Sequence, residues 1–139
     1  KSRYGIRLLL ELAENYGTGA TQLKVIAKKQ GLSIKYLEHL VAMLKSAGIV
    51  DSARGAKGGY YLTKKPSEIK LNKCFAVLEG DFVATDCLKK DYKCSRESEC
   101  VMKNIWQELQ EAVEDVLASK TLQDLIEMRK SSKNIYYQI

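Results

Sequence analysis

Apolar residues recur every three or four positions through "RYGIRLLLELAENYG". Ile6, Leu9, Leu10, Ala13 and Tyr16 share one helical face, and Gly17 supplies a stop. The period resumes in "TQLKVIAKKQ", with Leu23, Ile26 and Ala27 inward and Thr21 as the expected cap. Gly31 breaks this helix within the turn "QGLS". Ser33 then caps a third helix, "IKYLEHLVAMLKSAG", whose inward residues are Leu37, Leu40, Val41 and Leu44 and whose end is Gly48. Beyond it the pattern turns extended: "GIVDSA" and "GGYYLT" read as short strands joined through the glycine-rich "RGAKGG". Two helices across a short glycine turn, followed by such a hairpin, predict a winged helix-turn-helix over residues 1–65.

Pro66 closes that segment. "LNKCFAVLEG" predicts a short helix capped by Asn72, with Phe75, Val77 and Leu78 for packing and Cys74 as a buried thiol among them. From Asp81 to about Ser95 the chain is charged and irregular, so residues 66–100 read as a short helix and a loop. "ESECVMKNIWQELQEAVEDVLAS" predicts a long helix with Val101, Ile105, Leu109, Ala112, Val113 and Val116 in one stripe, widened by Trp106 and Leu117. A stripe that broad suits a second copy, which makes residues 101–130 a dimerisation helix followed by a short helix, "TLQDLIEMRK", capped by Thr121 with Asp124 in its first turn. Residues 131–139 receive no assignment. The expected fold class is mostly α with a small β-wing.

Charge sharpens this picture. The 139 residues carry a net charge of +6. Residues 1–73 hold 14 Lys and Arg against 5 Asp and Glu, a net of +9, whereas residues 74–139 hold 9 against 12, a net of −3. A basic winged helix is suited to double-stranded DNA. Lys35, Tyr36, Glu38 and His39 lie near the start of the third helix on its non-core side, where side chains of a recognition helix reach base edges. Glu38 suits a cytosine amino group, because phosphates would repel it. Arg54 and Lys57 sit near the wing tip, and an arginine there suits the minor groove. Arg3, Lys24 and Lys28 are candidate phosphate contacts. With one histidine, no phosphate-binding glycine loop and no nucleophile beside a base, an enzyme is not expected. No apolar run approaches a membrane span and no leader-like segment opens the sequence, so the expected location is cytoplasmic.

Three of the four cysteines, Cys87, Cys94 and Cys100, fall in "CLKKDYKCSRESEC" with the spacing C-x6-C-x5-C. Zinc ribbons present paired C-x2-C knuckles, which are absent here. Wider spacing in a loop suits thiolates wrapped around an iron–sulfur cluster, and Lys89, Lys90, Lys93 and Arg96 would offset its negative charge. Free thiols, or a redox disulfide among the three, are the alternative.

"RYGIRLLLELA", "LSIKYLEHLVAMLKSAGIV", "RGAKGGYYL" and the three-cysteine loop followed by "IWQELQEAV" together resemble the IscR-like winged-helix transcriptional regulators, in the same order across residues 1–128. The resemblance implies a homodimer that binds promoter DNA as a repressor or activator. It also implies that Cys87, Cys94 and Cys100 ligate an iron–sulfur cluster, commonly 2Fe–2S, supplied by cluster-assembly proteins. Lys35, Tyr36, Glu38 and His39 would then lie on the recognition helix, with Glu38 discriminating between sites and Arg54 entering the minor groove. Two departures stand out. The family pattern has a histidine three residues after the third cysteine, where this chain has Lys103, and the first cysteine gap is one residue longer than the usual five. The fourth ligand is therefore open among Asp86, Asp91, Glu97, Glu99, Cys74, a partner-subunit residue and a small thiol. A cluster-free regulator controlled by thiol oxidation, a partner enzyme or a metabolite is the rival expectation.

Overall fold

Leu8, Leu9 and Leu12 are shielded from solvent on a single helix, α1 (Ser2–Glu14), around which the other elements assemble. The computed structural model describes residues 1–138. After α1 come α2 (Leu23–Gln30), α3 (Ile34–Ser46), β1 (Val50–Ala53), β2 (Gly59–Leu62), α4 (Leu71–Glu79), α5 (Lys103–Ala118) and α6 (Leu122–Gln138). β1 and β2 form an antiparallel pair in the register Val50–Leu62 to Ala53–Gly59. The architecture is mostly helical with a small wing, as the hydrophobic pattern requires.

The helix-turn-helix follows its sequence signals closely. Gly31 adopts the left-handed conformation (φ 65°) that ends α2 and that few side chains tolerate. Ser33 Oγ accepts the Tyr36 backbone N–H at 3.1 Å, capping α3. Leu23, Ile26 and Ala27 of α2 and Leu37, Leu40, Val41 and Leu44 of α3 enter one core with α1.

Several local expectations are corrected. Thr21 does not cap α2, whose N-cap is Gln22. Thr21 instead exchanges two 2.8 Å backbone hydrogen bonds with Tyr60, adding a third chain segment to the wing, because the otherwise open edge of β2 needs partners for its N–H and C=O groups. Asn72 lies inside α4 rather than at its cap, which is Lys70. That start is fixed by backbone bonds from Leu71 to Lys120 (2.9 Å) and from Leu122 to Ile69 (3.0 Å). Tyr16 lies beyond α1 and is exposed, since the helix stops at Glu14.

The long helix is shorter than its amphipathic pattern and begins at Lys103, which leaves Cys100 and Val101 outside it. Its apolar residues divide between two adjacent faces. Trp106, Val113 and Leu117 are half-buried, toward α4 and the cysteine loop, while Ile105, Leu109 and Val116 remain 45%, 47% and 61% exposed. The last helix is longer than expected. Thr121 and Asp124 cap it reciprocally, with Thr121 Oγ1 accepting the Asp124 N–H at 3.2 Å and Asp124 Oδ2 accepting the Thr121 N–H at 2.8 Å. "SSKNIYYQ" offers no glycine or proline to stop it, so α6 reaches Gln138 through residues that received no assignment from sequence; Ile139 lies outside the described residues.

Candidate nucleic-acid interface and cysteine pocket

The start of α3 presents Lys35, Glu38 and His39 to solvent on the side opposite its core residues. Tyr36 is placed differently. It is half-buried, and its ring meets that of Tyr4 edge-to-face at 5.7 Å. The Arg3 guanidinium lies 5.6 Å from the centre of the Tyr4 ring, so a short aromatic bridge connects a basic side chain of α1 to α3. Sequence reading missed this bridge, because Tyr4 is off the apolar stripe of α1 and helical spacing says nothing about which neighbour it meets. Ile34, beside Lys35, is another omission: it is an exposed apolar side chain at the entrance of α3.

Arg54 and Lys57 are exposed in the connection between β1 and β2, and Lys24 and Lys28 are exposed on α2. The wing is held against the helix-turn-helix by backbone as well as side chains. Gln22 Nε2 donates to the Ala56 carbonyl at 3.4 Å. Gly59 (φ 147°) lies so close to Thr21 that a Cβ would collide with the Thr21 carbonyl. Behind this face, Glu11 is buried on α1 and accepts from Lys29 Nζ at 2.8 Å, with Arg129 Nη1 at 3.4 Å. Gln30 Nε2 donates to it at 2.6 Å. Burial pushes the Glu11 carboxyl up, but Lys29, Gln30 and Arg129 outweigh it, and the group sits below its ordinary value. This network ties α2 and α6 to α1.

Cys87, Cys94 and Cys100 line one small cavity of about 40 Å³ together with Tyr92, Glu97, Lys103 and Trp106. The loop reaches this shape through two 3-10 turns, Asp86–Leu88 and Glu97–Glu99. α5 anchors its beginning: Gln110 Oε1 accepts the Ala84 N–H at 2.7 Å, and Gln110 Nε2 donates to the Phe82 carbonyl. α5 also anchors its end, through an ion pair between Lys103 Nζ and Glu97 Oε1. The hydrogen bond and charge of Glu97 hold the Lys103 ammonium above its ordinary pKa, and Lys103 holds Glu97 below its own. Cys94 Sγ accepts the Arg96 backbone N–H at 3.4 Å. Thr85 Oγ1, two residues before Cys87, is buried with no hydrogen-bond partner.

Cys74 stands apart. It is fully buried in α4, and burial pushes its thiol up to about 11. Among the described residues, no three His, Cys, Asp or Glu side chains stand close enough to hold a single metal ion. A single zinc ion would need every thiolate at about 2.3 Å from one point. The three cysteines nevertheless share one cavity, and an N–H donated to the Cys94 sulfur suits a thiolate ligand. Three ligand positions therefore fit a cluster. Lys103, charged and ion-paired where the family pattern has histidine, does not fit as the fourth.

Among the described residues no helix is long and apolar enough to cross a membrane. The Rrf2 family, described as iron-dependent transcriptional regulators, matches residues 1–128. The HTH-type transcriptional regulator CymR of Bacillus subtilis (strain 168) is 39% identical over 98% of this chain and 94% of its own. The solved structure of CymR, described as the global cysteine regulator of B. subtilis, superposes with a TM-score of 0.75 at 40% identity, covering 91% of this chain and 93% of that one. The T. potens IscR structure superposes with a TM-score of 0.76 at 39% identity, covering 94% and 86%. The matched family and the B. subtilis relative are named as transcriptional regulators, not enzymes. The chain therefore belongs to the Rrf2 family: it is a DNA-binding, winged-helix transcriptional regulator of the IscR-like kind.

Proposed function

We propose that this chain works as a homodimer on promoter DNA and that its DNA affinity reports the occupancy of an iron–sulfur cluster held by Cys87, Cys94 and Cys100. The observation that carries the reading is the shared cavity: all three thiols of the loop line one space against α5, the helix with the open apolar face. That face, Ile105, Leu109 and Val116, would be covered by a second copy, which would set two recognition helices about one turn of DNA apart. When bound, the cluster would supply an oxidant-sensitive anionic centre.

The chain's own residues divide the remaining work. Lys35, Glu38 and His39, with Ile34 beside them, would meet base edges in the major groove, where a carboxylate accepts from cytosine and an apolar side chain meets a thymine methyl. Tyr36 would act from behind, orienting Arg3 through Tyr4. Arg3, Lys24, Lys28 and Lys57 would contact phosphates, and Arg54 the minor groove. α5 holds both ends of the cysteine loop and also bears the dimer face, so a change in the loop has a short route to the spacing of the heads.

Anaerobic purification with a visible spectrum and iron and acid-labile sulfide assays tests this. The expected result is a coloured protein whose bands disappear in Cys94→Ala. A protein that stays colourless after cluster reconstitution contradicts it. It would favour a second reading, in which the thiols themselves are the sensor, a reading supported by the Lys103–Glu97 pair at the family's fourth-ligand position and by the likeness to a cysteine regulator.

A further inference from the structure

We propose that Glu97 is the fourth ligand of the cluster, binding iron through Oε2 while Lys103 keeps hold of Oε1. This rests on the cluster reading above. Once Lys103 is excluded as a donor, the candidates are Asp86, Asp91, Tyr92, Glu97, Glu99 and the unpartnered Thr85 hydroxyl in the loop region, and Cys74 in α4. Tyr92 also lines the cavity with the three thiols, but its phenol must lose a proton before it can ligate, and of the carboxylates only Glu97 is there. Asp86 is engaged with Lys89 at 2.7 Å on the exposed side of its turn, and Cys74 is buried in α4.

The chemistry of the pair also fits. A carboxylate has two oxygens, and only Oε1 of Glu97 is taken by Lys103. Iron accepts an oxygen ligand, and a ligating carboxylate is normally held by a hydrogen bond on its other oxygen. Lys103 occupies the place where a histidine would ligate directly, so the donor has moved to Glu97, one 3-10 turn earlier, and the lysine has become its positioning residue. Its ammonium also offsets one of the charges that three thiolates and a carboxylate bring together.

The test compares wild type, Glu97→Gln, Glu97→Cys, Lys103→Arg, Lys103→Met and Glu99→Gln as full chains reconstituted anaerobically with ferrous iron and sulfide. Visible spectra, the paramagnetic resonance of the reduced cluster and the rate of iron release to a chelator are read. In the expected result Glu97→Cys stays loaded with its resonance moved to an all-thiolate form, and Glu97→Gln releases iron at least about tenfold faster. Lys103→Met also releases faster, Lys103→Arg restores retention, and Glu99→Gln matches wild type. Wild-type resonance and release in both Glu97 variants would overturn the assignment and leave the cluster standing. A colourless wild type would overturn the cluster and the assignment together. Because Glu97 is exposed and Lys103 no more than half-buried, thermal unfolding of the apo forms should be unchanged, which separates ligand loss from misfolding.

Discussion

Gly59 shows how much of the DNA-binding face depends on one residue. Its φ of 147° and its contact with the Thr21 carbonyl leave no room for a side chain. Gly59→Ala should therefore cost about 1–3 kcal/mol in urea unfolding and weaken DNA binding beyond that loss, because the wing detaches from Thr21. Glu11 makes a different kind of contribution. Its carboxyl is held below its ordinary value, so its ion pairs stabilise the fold above the unfolded-state pKa, and that stability is lost as pH falls through the lower folded value. Glu11→Gln should be less stable than wild type at neutral pH, by about 1–3 kcal/mol, with the gap closing in acid below about pH 4. A pH series of chemical denaturation measures both. A gap that persisted unchanged in acid would mean that the acceptor pattern rather than the charge is what Glu11 contributes.

At the scale of elements, the open face of α5 makes the clearest demand. Ile105, Leu109 and Val116 lie on one side of the helix, and among the described residues little covers them. Leu109→Glu should weaken self-association at least about tenfold in sedimentation, since the dimer would have to bury a carboxylate. Its secondary structure should be unchanged. The helices of the winged helix were legible because their stops are chemically specific: Gly31 and Ser33 can each be read without knowing any neighbour. The start of α5 was not. Its apolar period continues through Val101, and nothing local reveals that the 3-10 turn at Glu97–Glu99 and the Lys103 ion pair end the loop instead. The division of the α5 stripe into a covered and an open face was hidden too, because periodicity defines a face but not its partner. The three cysteines stood out by type and spacing, and they line one cavity. Gln110 and Trp106, which support their loop, did not stand out, since they read as ordinary positions on an amphipathic helix. Thr21 was misread because a good capping residue was needed for strand pairing.

For the whole molecule, the proposed function requires the basic half and the thiol pocket to work together. Affinity should come largely from phosphates, so Lys24→Ala with Lys28→Ala should flatten the dependence of log affinity on log salt by about 2, with little change in preference between DNA sequences. Glu38→Ala should do the reverse, altering preference among sites while leaving the salt slope nearly unchanged. Both are read by fluorescence anisotropy across a salt series. The coupling of pocket to heads is the central claim. It is tested most directly by titrating a panel of promoter fragments with anaerobically cluster-loaded protein, with the same protein after cluster removal, and with Cys94→Ala. On at least one fragment the loaded protein should differ in affinity from the apo form by about fivefold or more, the scale of an ordinary coupling free energy, and Cys94→Ala should behave as the apo form in every case. Equal affinities for loaded and apo protein across the whole panel would contradict the claim, leaving a DNA-binding protein whose cysteine pocket does not govern its binding.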